Sequence, residues 1–124
     1  MSIQTPLGRV RGYGSAKSGT QHFWYQRMTA VALVPLTLWF VWAVVRYAGA
    51  PHSEVVAFLG NPVSGVAMAM FVVVGLVHML LGAKVVIEDY IHRESTKIAL
   101  LVLLHFAVFA VAVTCVVAVL RILT

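Results

Sequence analysis

Acidic side chains are nearly missing from this sequence: four Asp and Glu stand against nine Lys and Arg in 124 residues, and none precedes Glu54. Charge of either sign is scarce, at 10% of positions. Cysteine occurs once, as Cys115, so no internal disulfide can form; inside an apolar run it reads as a small packing residue. No apolar core precedes the first long hydrophobic run, so no cleaved secretory signal is expected. Residues 1–26 are polar, Gly-rich and basic, and their lack of acid is a feature shared with organelle transit peptides. That tail also has no phosphate-cradling loop, no metal-ligand pair and no nucleophile–base arrangement. Gly12, Gly14 and Gly19 are scattered and match no dinucleotide fingerprint.

What is present is apolar bulk. Hydrophobic residues make up 61% of the chain, and the mean hydropathy is +0.95. A soluble domain of this size leaves about a third or more of its surface exposed and cannot hide so much apolar area. Residues 28–45, 62–83 and 98–120 are free of charge and reach the roughly 17–25 residues that a helix needs to cross a bilayer core about 30 Å thick. The expected architecture is all-α: an integral membrane protein of three transmembrane helices, forming one domain over residues 1–124. A flexible basic tail is expected at 1–21 and helices at about 22–47, 62–90 and 97–122.

Basic residues orient the spans. Arg9, Arg11, Lys17 and Arg27 precede the first, and Lys84, Arg93 and Lys97 surround the link between the second and third. Only Arg46 and Arg121 lie on the opposite side. The seven-to-two bias puts the N-terminus in the cytoplasm (or the matrix of a mitochondrion) and the C-terminus in the periplasm. It also gives the net charge of +5 a topological cause, and no nucleic-acid partner is expected. Phe23, Trp24 and Tyr25 form an aromatic anchor at the inner interface, and Trp39, Trp42 and Tyr47 form one at the outer. Pro35 predicts a mid-span kink. The outer link contains Gly49, Pro51, Gly60 and Asn61-Pro62 as turn signals, with a short surface helix over 53–59. The brief link at 91–96 makes a hairpin of spans two and three.

An ionisable side chain inside a span is costly and marks function by default. His78 and His105 qualify. His78 precedes Glu88 by ten residues, about 15 Å along a helix, which sets it near the bilayer centre. Phe71, Gly75, Gly82, Val85 and Asp89 share its helix face. Gly75 and Gly82 clear space one turn to either side of the imidazole. A flat macrocycle needs that clearance beside an axial ligand, and so does a closely packed helix. The residues therefore leave two readings of His78 open, a haem ligand or an interhelical hydrogen bond, and the glycines favour haem. Packed helices 8–10 Å apart leave no room for a porphyrin between His78 and His105, so His105 reads as an interface histidine.

Asp89 and Tyr90 close the second span on the inner side. A phenol beside a carboxylate can hold a quinone carbonyl and deliver protons, but the residues alone favour an interface anchor next to ordinary flanking acids. Arg27, with His22 and Gln26 nearby, suits haem propionates or anionic lipid headgroups.

The run from His78 through Gly82 to Asp89-Tyr90, with glycine four residues after the histidine and Asp-Tyr eleven and twelve after it, resembles the small membrane-anchor subunit family of succinate dehydrogenase, respiratory complex II. The opening His22-Phe-Trp-Tyr-Gln-Arg27-Met-Thr-Ala30 resembles that family's entry into its first helix. The details are similar to the alphaproteobacterial branch. The resemblance covers essentially the whole chain and implies a non-catalytic anchor of succinate:ubiquinone oxidoreductase. It implies that His78 is the axial ligand of haem b iron, with the second ligand from a companion cytochrome b anchor subunit. It implies Arg27 at the haem propionates, Asp89 and Tyr90 at the ubiquinone site, and docking of iron–sulfur and flavoprotein subunits on the cytoplasmic side of the inner membrane. A fumarate reductase anchor, another haem b quinone oxidoreductase, or a cofactor-free structural subunit are the alternatives. His105 has no counterpart role in the family, and Lys84 adds a charge one turn before the acids.

Overall fold

A computed structural model of the chain describes residues 5–12 and 19–124. Five helices are seen among them: α1 Pro6–Gly12, α2 Gly19–Tyr47, α3 His52–Gly60, α4 Pro62–Tyr90 and α5 Glu94–Leu123. The described residues contain no strand. Three helices, α2, α4 and α5, have 29, 29 and 30 residues and are apolar enough to cross a membrane. At 1.5 Å per residue each is about 43–45 Å long, beyond the hydrocarbon thickness and into both headgroup layers.

The expected tail at 1–21 overlaps two helical pieces, α1 and the first turn of α2. Extending a nucleated helix by a turn of Gly19, Thr20 and Gln21 costs little. Residues 1–4 and 13–18 of that tail lie outside the described residues. α2 runs through Pro35 as one helix, although Pro35 has no N–H to offer the preceding turn.

The ends have local causes. Gly49 adopts φ 79°, the left-handed conformation that glycine takes without cost, and reverses the chain after α2. Asn61 starts α4: the Val63 N–H donates to its Oδ1 at 3.0 Å, and Pro62 occupies the first turn, where a missing N–H costs nothing. Residues 91–93 alone separate α4 from α5.

α4 is the element against which both other spans pack, and α3 lies across α4 and α5. On the α2–α4 seam Phe40 stacks on Phe71, with centroids 4.5 Å apart. Trp39, Trp42 and Tyr47 gather round Phe58 of α3, at 6.1, 6.2 and 4.5 Å. The aromatics expected as an outer anchor thus also pin α3 to the end of α2. Little else is enclosed. Only 6% of the most apolar stretch of α2, and none of those of α4 and α5, is buried within the chain. Three helices in a row bury only their seams, so the outward apolar faces require lipid or other helices.

Candidate functional site

His78, in the middle of α4, is half-buried against α2. Its Nδ1 lies 2.9 Å from Thr29 Oγ1. Thr29 is itself tied to its own helix, with Oγ1 2.8 Å from the Tyr25 carbonyl oxygen and 3.1 Å from that of Gln26. Sequence pattern does not single out Thr29, because a threonine in a span ordinarily just back-bonds to the preceding turn. Its significance comes from facing His78, 49 residues away.

The imidazole opens onto a groove of about 500 Å³ between α2 and α4. His22, Gln26 and Arg27 line its α2 side, and Gly82 and Val85 its α4 side. At Gly82 an added Cβ would meet Gln26 Nε2 at 3.6 Å, and at Gly75 it would meet Leu33 Cδ2 at 3.9 Å, both ordinary contacts. Neither glycine is therefore demanded by the approach of α2. The clearance they leave is available to something else.

Arg27 is exposed, with its guanidinium 5.2 Å from the centroid of the Phe23 ring. Aromatic contact keeps such a cation near the groove while leaving its donors free for an anion. Beside it, His22 Nε2 and Gln26 Oε1 are buried and have no hydrogen-bond partner among the described residues. A buried unpaired polar group costs roughly 1–3 kcal/mol, so this rim calls for polar atoms from outside the chain.

Asp89 and Tyr90 do not line this groove; Val85, one turn earlier, is its last α4 residue. Both are exposed, Tyr90 at 76%. The neighbouring Glu88 faces Lys84 at 3.7 Å, whereas Asp89 pairs with no cation among the described residues. His105 lines a different groove, with Leu80, Phe106, Val108 and Phe109, and its Nδ1 donates to the Leu101 carbonyl at 2.7 Å.

Over residues 1–118 the chain matches the family described as succinate dehydrogenase/fumarate reductase transmembrane subunit. The chain belongs to that family. It is 39% identical over 115 residues to the succinate dehydrogenase hydrophobic membrane anchor subunit of Paracoccus denitrificans, covering 91% of this chain and 89% of that one. It is 31% identical to the subunit of the same name from Rickettsia bellii, over 81% of this chain and 80% of that one. It is 34% identical to the succinate dehydrogenase membrane anchor subunit of Reclinomonas americana, over 72% and 77%. No solved structure matches. Among the described residues no group of three or more His, Cys, Asp or Glu side chains is placed to hold a metal ion.

Proposed function

We propose that this chain anchors the iron–sulfur and flavoprotein subunits of a succinate:ubiquinone oxidoreductase to the inner membrane, shares a haem b with a companion anchor subunit, and forms part of the quinone-reducing site. The observation that carries this reading is His78. It is an imidazole deep in a span, held at Nδ1 and facing a groove that also collects a cation and unpaired polar atoms.

The donor set suits the group. A neutral imidazole nitrogen would ligate iron, the glycine clearance suits a flat ring, and Arg27 and His22 suit propionate carboxylates. A haem bound here supplies one-electron storage between the iron–sulfur chain and the quinone. His78 would hold the iron of such a group. Arg27 would neutralise carboxylate charge that is otherwise expensive near hydrocarbon. Asp89 and Tyr90, exposed at the C-terminal end of α4, would offer an acceptor and a phenol donor to a quinone carbonyl. The basic bias of the flanking segments places that end in the cytoplasm or matrix, where electrons would arrive from the docked subunits. The family spans fumarate reductases as well, and the direction of catalysis belongs to the soluble partners.

Replacing His78 with Ala in the purified complex tests the ligand: the reduced haem band is expected to vanish relative to flavin, and an unchanged band ends the claim. Tyr90→Phe is expected to lower quinone reduction relative to succinate oxidation by an artificial dye. An unchanged ratio removes Tyr90 from the site.

A further inference from the structure

The geometry points to Thr29 as the residue that selects the tautomer of His78 and fixes its ring plane, a positioning role that rests on the haem reading above. Three acceptor-capable atoms surround Thr29 Oγ1: the Tyr25 carbonyl oxygen at 2.8 Å, the Gln26 carbonyl oxygen at 3.1 Å and His78 Nδ1 at 2.9 Å. The hydroxyl has one hydrogen to give and two lone pairs. Carbonyl oxygens can only accept. If the hydrogen pointed to Nδ1, Oγ1 would face two carbonyl oxygens lone pair to lone pair, a repulsion that costs more in the partly buried, low-dielectric seam between α2 and α4 than in water. The hydrogen therefore goes back to the α2 backbone. The remaining lone pair of Oγ1 accepts from Nδ1–H of His78.

That assignment decides the chemistry of the other nitrogen. With the proton on Nδ1, neutral imidazole has its lone pair on Nε2, the form a metal ligand requires. The opposite arrangement would put the proton on Nε2 and block coordination. The bond also restrains rotation of the ring about its side-chain torsions. An acceptor on the distal N–H further strengthens the imidazole as a donor, which favours ferric over ferrous iron. Ligand and orienter thus come from α4 and α2, so the packing of these two spans sets the site.

The test uses the purified holocomplex carrying Thr29→Val, Thr29→Ala, Thr29→Ser or His78→Ala. Assembly is normalised to flavin, and the readouts are the haem midpoint potential and the low-spin ferric electron paramagnetic resonance spectrum. Thr29→Val and Thr29→Ala are expected to raise the potential, with a loss of ferric preference of up to about tenfold, or about 59 mV for one electron, and to alter the g-values. Thr29→Ser, which keeps the hydroxyl, is expected to restore both. If His78→Ala loses the haem while Thr29→Val and Thr29→Ala keep the wild-type potential and spectrum, the role of Thr29 is overturned and the ligand assignment stands. If His78→Ala retains the haem, the ligand assignment itself fails. Should Thr29→Val not assemble, the contrast between Thr29→Ala and Thr29→Ser decides: equal values overturn the inference, and a shift in Ala alone supports it.

Discussion

Gly65 of α4 is buried against Leu123 of α5 so closely that a side chain there would fall 2.5 Å from Leu123 Cδ2 and 2.8 Å from the Leu59 carbonyl oxygen. The leucine can rotate away, but the backbone carbonyl can move only with α3. Gly65→Ala is therefore expected to destabilise the α3–α4–α5 junction by about 1–3 kcal/mol, the range for overpacking. A lower thermal midpoint of the detergent-purified complex checks this. Gly12→Ala, where an added Cβ would meet nothing within 4 Å, serves as the neutral comparison, and equal midpoints for the two variants refute the steric argument.

At Gly82 the size of the substituent separates folding from cofactor binding. Alanine meets only Gln26 Nε2 at 3.6 Å and is expected to leave assembly intact. Leucine in the same place projects into the groove beside His78. Gly82→Leu is expected to lower the ratio of haem to flavin while the subunits still co-purify. Full haem content in that variant would mean the groove is not where the ring lies.

The Phe40–Phe71 stack, with planes 14° apart, is the largest aromatic contact between α2 and α4. Stacked pairs contribute about 0.5–1.5 kcal/mol beyond the area they bury. A double-mutant cycle with Phe40→Leu and Phe71→Leu is expected to show coupling of that size in thermal or denaturant unfolding. Additive losses would show that the rings touch without contributing specifically.

Glu88 and Asp89 are adjacent acids with different surroundings. Glu88 is tied to Lys84 at 3.7 Å, an exposed pair one turn apart with a contribution of about 0.2–0.5 kcal/mol. Asp89 is exposed and has no cation beside it among the described residues. Asp89→Asn is expected to lower quinone reduction about tenfold or more relative to dye reduction, and Glu88→Gln to change it little. Equal effects from the two variants would reduce both residues to flanking charge.

Span number was legible because it depends on length and apolarity alone: 28–45, 62–83 and 98–120 each fall inside one helix, and a lipid-exposed backbone must satisfy its own hydrogen bonds. The surface helix before Asn61 was legible from turn residues on both sides. His78 and Gly82 stood out because polar or small residues are conspicuous in apolar surroundings, whereas Arg27, Asp89 and Tyr90 became site candidates through the family resemblance. Which of them meet was not legible. Arg27 and His78 share a groove across two helices, whereas Asp89, expected on the face of His78, stops short of it.

The physical reason is rotational phase. A helix that is half polar announces which side faces inward, but α2, α4 and α5 are apolar almost all round, so the sequence carries little record of how each turns toward its neighbour. Sequence by itself determined that the chain lives in a bilayer, how many times it crosses, and which side chains are unusually polar for that setting. Only side-chain packing along the α2–α4 seam, led by Phe40 on Phe71, decided that Thr29 faces His78, which imidazole nitrogen is engaged, and that the unpaired rim of His22 and Gln26 opens beside it.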